Sequence, residues 1–248
     1  MIYIENYGTN GWEHAIRGAR NPMNSWDKSD SYEDCPEHPG IFKIGPNDKD
    51  LLIKLSKAGP DHGKFMRMIT VYVDITAPLY WWKEFDTYKV GTVANSCSTM
   101  HKIHDKEFTM DDFSHDHLIG LDIDFDNFDE CPMIDVNPVT NGYCGDPDGE
   151  EGQIYVSPYY WMKLTIDMLN ECRKKYNETK DKKYWWQMIQ LLPSSYNQKR
   201  TVMLNYEVLK NMYHARKNHK LDEWRDFCSW IEMLPYHELI VGYKTHLD

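Results

Sequence analysis

The sequence predicts an α+β protein in which a modest central sheet, antiparallel or mixed, carries several helices. Four β-branched residues alternate along one stretch: Ile69, Val71, Val73 and Ile75. Such alternation is typical of a strand with one buried face. The last third of the chain instead has apolar residues at helical spacing, which predicts long C-terminal helices. Because the 248 residues show no internal repeat or low-complexity tract, we predict one domain spanning residues 1–248.

The first half alternates predicted helices with loops. Asn10 is a candidate N-cap with Glu13 three residues later, which predicts a short helix ending at Asn21-Pro22. Residues 28–48 contain three prolines and are predicted to form a loop. A second helix is predicted in residues 47–60, where Gly59-Pro60 is a stop signal.

The predicted strand ends at Pro78, and the spacing of apolar residues from Leu79 to Tyr88 predicts a helix after it. Residues 105–156 are acidic and rich in turn residues, which predicts an inserted, partly ordered segment. Asp122, Asp124 and Asp126 alternate there, but the central glycine and closing glutamate of an EF-hand loop are absent from the sequence. We therefore predict a solvated acidic segment and no calcium site.

Capping and stop signals divide the C-terminal third into four helices. Ser157-Pro158 is an N-cap and first-turn pair that opens the first, and Pro193 ends the second, in residues 181–192. Ser194 or Ser195 is the predicted cap of a long helix reaching residue 220. Residues 221–235 form the predicted closing helix.

The net charge disfavours some classes of partner, and the cysteine spacing disfavours a zinc site. With 28 basic and 39 acidic residues, the formal charge of −11 disfavours unspecific attraction to nucleic acid or to an anionic membrane, although it leaves room for a local basic pocket. No apolar window is long enough to cross a bilayer and no signal-peptide pattern opens the sequence, so we expect a cytoplasmic protein. The six cysteines lack zinc-like spacing, and we predict reduced thiols and no metal. A weaker alternative is a metal site at His101 and His104 or at His115 and His117.

Two stretches carry candidate site residues. "YKVGTVANSCSTM", residues 88–100, concentrates small hydrogen-bonding side chains and one cation behind an aromatic run; it either satisfies its own backbone or holds a ligand. Downstream, Asn205, Asn211 and Arg216 lie on the predicted long helix, and the planar guanidinium of Arg216 suits a phosphate or a carboxylate. The alternative is an exposed face on which Glu207 and Lys210 are ordinary solvated charges.

Four stretches resemble the flavin-dependent thymidylate synthases. They are "AIRGARNPMNSWDKS", the helix, His-containing turn and strand of residues 48–78, "LYWWKEFDTYKVGTVANSCSTMHK", and the Leu-Pro turn followed by residues 194–227. This family reductively methylates C5 of dUMP with FAD, methylenetetrahydrofolate and a nicotinamide such as NADPH, and it forms tetramers. The resemblance covers roughly residues 10–104 and 157–235.

The resemblance implies roles for individual residues of this chain, and no protein nucleophile among them. It implies nucleotide contacts for Arg216, Ser98, Lys89, Glu84 and Thr99. It implies flavin contacts for Asn95, Asn205, Asn211, Tyr88, Thr92, His62, Lys64 and Arg67. The reduced flavin delivers the hydride in this family, so the protein binds, orients and polarises.

The chain departs from the family pattern at several of these positions. Thr87-Tyr88-Lys89 stands where the family has Arg-His-Arg, and Met100-His101 where it has Arg-Tyr. Glu84 replaces a glutamine, Glu207 an arginine, and Lys64 and Arg67 a threonine and a glutamate. Two functions therefore stay open: a divergent flavin enzyme acting on dUMP or a related pyrimidine nucleotide, or a non-catalytic oligomeric nucleotide-binding or regulatory protein.

Overall fold

The computed structural model describes residues 1–33, 42–120, 132, 134–135 and 155–242. Its contacts divide the chain into two compact units: Met1–Cys97 with Gln198–Asp248, and Ser98–Asn197. The single domain expected from the sequence stays a prediction. Most of the predicted acidic insertion, including Asp122, Asp124 and Asp126, lies outside the described residues.

The described ranges contain both strands and helices. The strands are β1 (Tyr3–Asn10), β2 (Tyr32–Glu33), β3 (Phe42–Lys43), β4 (Thr70–Pro78), β5 (Val93–Ser96), β6 (Ile134–Asp135), β7 (Tyr155–Val156) and β8 (Asn197–Asn205). The helices are α1 (Trp12–Arg20), α2 (Pro46–Lys57), α3 (Leu79–Phe85), α4 (Pro158–Thr179), α5 (Lys182–Leu191), α6 (Tyr206–Arg216), α7 (Asp222–Ile231) and α8 (Glu238–Val241). Of the helices in these ranges, none combines the length and apolar content needed to cross a bilayer.

The first unit is built on a four-stranded sheet in the order β1-β4-β8-β5. β1 pairs antiparallel with β4, and β5 antiparallel with β8. The alternating residues of the predicted strand are all buried on one face, as expected: Ile69, Val71, Val73 and Ile75. The α+β class with a central antiparallel sheet is confirmed.

Aromatic side chains dominate the core of this unit. The ring of Trp81 lies 4.9 Å from that of Trp82 and 4.8 Å from that of Trp224, and all three are fully buried. Burial of each such side chain contributes on the order of 2–3 kcal/mol of transfer free energy. This packing fixes α3 against α7, and α3 carries a candidate site residue.

A buried ion pair joins α1 to α2. Arg20 Nε donates to Asp48 Oδ1 at 2.6 Å, and the other guanidinium nitrogens donate to the Ser25 and Lys28 carbonyls. The second oxygen of Asp48 accepts from the hydroxyls of Ser29 and Ser31. Burial favours the neutral carboxyl, yet the hydrogen bonds from Ser31, Ser29 and Arg20 together lower the pKa of Asp48.

The second unit packs α4 and α5 against each other. Ser157 caps α4 by accepting from Tyr160 N at 3.3 Å, as predicted, and Asp181 caps α5 by accepting from Lys183 N. The described start of the acidic segment contributes to this unit's core, because Phe108 and Phe113 are buried. The segment is therefore partly a core element.

Two predictions about helix starts are wrong. The N-cap of α1 is Gly11 and not Asn10, which ends β1. Gly11 has φ +91°, and a Cβ there would lie 2.1 Å from the Met68 carbonyl oxygen, so the turn needs glycine. The predicted long helix beginning at Ser194 or Ser195 is instead strand β8 followed by α6, because β8 forms hydrogen bonds on both sides, to β4 and to β5.

Candidate functional site

Three of the predicted site residues meet in one cluster. Arg216, in the last turn of α6, donates from Nη1 to Glu84 Oε2 of α3 at 2.8 Å and from Nε to the Tyr88 hydroxyl at 3.0 Å. These residues are 132 and 128 positions apart along the chain. We call Glu84, Tyr88 and Arg216, with His219 and Trp224 described next, the arginine cluster.

Two residues that the sequence analysis missed complete the arginine cluster. Trp224 Nε1 donates to Glu84 Oε2 at 2.8 Å, and the guanidinium of Arg216 stands 4.8 Å from the Trp224 ring centre. His219 Nδ1 accepts from Leu221 N at 3.2 Å, and His219 Nε2 lies 3.5 Å from Glu84 Oε2 and 3.1 Å from Arg216 Nη1. No spacing in the sequence links these residues to α3, so only the fold reveals them.

The arginine cluster is nearly neutral, yet it still offers hydrogen-bonding atoms. Glu84 Oε2 accepts from Arg216 Nη1 and from Trp224 Nε1, whereas among the described residues Glu84 Oε1 and Arg216 Nη2 have no protein partner. Both side chains keep partial exposure, 35% for Glu84 and 20% for Arg216. An anionic ligand could reach Arg216, but it would compete with a carboxylate that already neutralises the guanidinium.

Two of the residues that depart from the family pattern form a second ion pair. Arg67 Nε donates to Glu207 Oε2 at 2.6 Å, across 140 positions of sequence. By the resemblance the family has a glutamate at the first position and an arginine at the second. The two replacements have opposite signs, and in this chain the two replaced residues pair with each other.

This pair borders a cleft of about 540 Å³ that also contains Asn211. Gly59, Gly63 and Lys210 line it as well. Lys210 is half-buried and donates to the Ser56 carbonyl at 2.6 Å, and burial lowers the pKa of Lys210 below its ordinary value. The interpretation of Lys210 as an ordinary solvated charge is therefore wrong; Glu207 is also engaged, by Arg67.

Asn205 has a structural role in addition to any contact with a ligand. It is the N-cap of α6, where its side-chain oxygen accepts from Val208 N at 2.9 Å. Its amide nitrogen lies against Gly91, 2.4 Å from the position that a Cβ would take. Asn205 therefore fixes the start of α6 against the turn after Tyr88.

The remaining candidates of the first unit are dispersed. His62, Lys64 and Lys89 are exposed, and Asn95 is exposed on β5. The Thr92 hydroxyl donates to the Tyr88 carbonyl at 2.6 Å. Part of the stretch thus satisfies its own backbone, while its cation faces solvent.

Ser98 and Thr99 belong to the second unit. The Ser98 hydroxyl oxygen accepts from the backbone N–H of Met100, at 3.2 Å, and of His101, at 2.9 Å. These two amides are therefore satisfied locally. Within the described ranges, no three histidine, cysteine, aspartate or glutamate residues are grouped as metal ligands.

Neither a protein-family model nor a curated protein sequence matches this chain. Solved structures do match. The flavin-dependent thymidylate synthase ThyX of Helicobacter pylori, complexed with FAD and dUMP, superposes with a TM-score of 0.59 at 15% identity over 97% of both chains. The UMP/dUMP methylase PolB of Streptomyces cacaoi, bound with 5-Br UMP, superposes with a TM-score of 0.54 at 11% identity. The match covers 96% of this chain and 93% of the PolB chain.

The chain has a ThyX-like fold. A second ThyX structure from Helicobacter pylori, with FAD and dUMP, gives a TM-score of 0.57 at 15% identity. At these identities the matches show the fold alone. The fold that the resemblance implied for residues 10–104 and 157–235 is therefore confirmed across nearly the whole chain.

Proposed function

We propose that this chain is a divergent flavin-dependent enzyme that transfers a one-carbon unit reductively to C5 of dUMP or a related pyrimidine nucleotide. The observation that supports this function is the arginine cluster: Glu84, Tyr88 and Arg216 lie together in a ThyX-like fold, and the resemblance gives all three ligand contacts. Of the structures named above, ThyX is complexed with FAD and dUMP, and PolB is bound with 5-Br UMP.

The cleft beside the Arg67–Glu207 pair fits a flavin. Its volume of about 540 Å³ lies in the range of small-molecule sites. Asn211 and Lys210 supply donors of the kind that a flavin ring needs, and Gly59 and Gly63 allow close approach of the backbone. Bound reduced FAD would supply the hydride, methylenetetrahydrofolate the carbon, and NADPH the electrons that reduce the flavin.

The chain's own residues would bind and orient the nucleotide. Arg216 has one unpaired nitrogen for a phosphate or carbonyl oxygen, and Trp224 and Tyr88 shield two sides of its guanidinium. Glu84 keeps the guanidinium in position and is a positioning residue in this proposal. Lys89 is exposed and is the cation that would replace the missing Arg-His-Arg triplet. We include a homotetramer, which the resemblance implies, in the same proposal.

The test is to titrate the protein with FAD and with dUMP, separately and together, and to measure tritium release from C5-labelled dUMP. We expect FAD fluorescence quenching, dUMP binding and tritium release. Arg216→Ala should weaken dUMP binding by about tenfold or more, since it removes a charge-assisted contact. Arg200→Ala is the matched control: Arg200 also pairs with a carboxylate, Asp86, and stacks on a tryptophan, Trp82. Equal dUMP affinity of the Arg216→Ala variant and wild type would remove Arg216 from the site.

A second candidate is the non-catalytic nucleotide-binding or regulatory oligomer. A specific observation favours it: Arg216 and Arg67 each already pair with a carboxylate that stands where the family has no acid. Binding of dUMP without FAD uptake and without tritium release would select this candidate. If neither dUMP nor FAD binds, both candidates fail.

A further inference from the structure

We propose that the hairpin of α4 and α5 binds single-stranded nucleic acid. Its residues 173–187, called here the basic hairpin, carry six cations and two carboxylates in a chain whose net charge is −11. The cations are Arg173, Lys174, Lys175, Lys180, Lys182 and Lys183. The net charge of the whole chain predicts no attraction to an anionic polymer. The basic hairpin is a local exception to that net charge.

Aromatic rings are interleaved with these cations. Lys183 Nζ lies 4.8 Å from the centre of the Tyr184 ring, and Lys175 of α4 lies 5.8 Å from the same ring. Lys182 Nζ lies 5.7 Å from the Trp186 ring. These contacts connect the end of α4 to the start of α5 as one continuous surface of charges and rings.

A single strand presents the two chemical groups that this surface recognises. Its phosphates attract ammonium groups, and its unpaired bases stack on flat side chains whatever their sequence. Trp186 is 44% exposed and is the ring most accessible to a base. Trp185, whose Nε1 donates to the Met100 carbonyl at 2.9 Å, holds this part of α5 in place.

The tip of the basic hairpin distinguishes nucleic acid from a membrane. Every residue of the tip, from 178 to 183, is polar or charged and exposed. Insertion into a bilayer interface would require apolar side chains at such a tip. An anionic polymer needs none, so the observations favour nucleic acid.

The experiment measures fluorescence anisotropy of a labelled oligothymidylate of about 20 nucleotides, titrated with the full chain between about 50 and 200 mM salt. Wild type should bind with an affinity that falls steeply with salt. The variant Lys182→Glu/Lys183→Glu should raise Kd about tenfold or more and reduce the logarithmic salt slope by about 1.4, as expected for two lost phosphate contacts. Trp186→Ala, which leaves the charge unchanged, should raise Kd about fivefold or more.

The matched control is Lys28→Glu/Lys54→Glu, which makes the same change in net charge at two exposed lysines of the first unit. It should bind the oligonucleotide within about twofold of wild type. Circular dichroism would verify that each variant is folded. No saturable binding by wild type, or equal weakening by both double variants, would overturn the proposal. Binding to vesicles of phosphatidylserine without binding to the oligonucleotide would overturn it too, and would assign the basic hairpin to membranes.

Discussion

Replacing Glu84 with glutamine should raise the affinity of this protein for dUMP. Glu84 Oε2 lies 2.8 Å from Arg216 Nη1, and the two side chains are 35% and 20% exposed. A charge-assisted hydrogen bond of this partly solvated kind contributes about 1–2 kcal/mol. In the proposed function a nucleotide phosphate binds the same guanidinium and competes with Glu84 for its charge, so removing the carboxylate charge should increase the affinity by about five- to thirtyfold. Glutamine still provides an oxygen for Nη1, and the guanidinium should stay in place.

Isothermal titration calorimetry with dUMP at low and high salt would measure this change. Asp86→Asn is the control, because it removes one negative charge two residues away, where Asp86 pairs with Arg200 Nη1 at 2.7 Å. Equal or weaker binding by Glu84→Gln would refute the reasoning that Glu84 competes with an anionic ligand. An equal gain from Asp86→Asn would attribute the effect to net charge.

Two further predictions concern the ion pairs of the first unit. Arg67→Glu and Glu207→Arg should each weaken FAD binding in a fluorescence titration, because each variant places like charges together. The double exchange should restore FAD binding. A double variant that binds FAD more weakly than both single variants would contradict this pairing. Asp48→Asn should lower the free energy of unfolding in urea by about 3 kcal/mol, because Arg20 then keeps a buried charge without its counter-ion. A loss below about 1 kcal/mol would contradict the stabilising role of this ion pair. Since the folded pKa of Asp48 is lowered, its contribution is complete above the ordinary value of 3.8 and is lost as the pH falls through the folded pKa.

The spacing of apolar residues is sufficient to predict a helix or strand where one face of that element is buried. The strand through Val71 and the helix α3 follow from it, since their apolar side chains repeat at the period of each element. β1 was missed because its register shifts between Glu5 and Gly8 and Asn6 has φ +51°, which interrupts the alternation. β8 was predicted to be helical because its pairing with two neighbouring strands is decided by the sheet and not by its own residues.

The candidate site was predictable in its residues but not in its pairings. The resemblance identified Glu84, Arg216, Arg67 and Glu207 as separate departures or contacts. Their partnership depends on α3, the turn near residue 62 and α6 coming together over more than 120 residues. Sequence spacing reports neighbours on one element, so it contains no information on such distant partners.

Gly91, in the turn after Tyr88, lies against Asn205 at the start of α6, and this contact limits which residues the two positions can hold. With φ +81°, it accommodates the amide of Asn205 where any other residue would place its β-carbon. A substitution there would push Asn205 away from its N-cap position, two residues before Glu207, which pairs with Arg67. Drift at these two positions should therefore be correlated, with glycine and asparagine lost or retained as a couple.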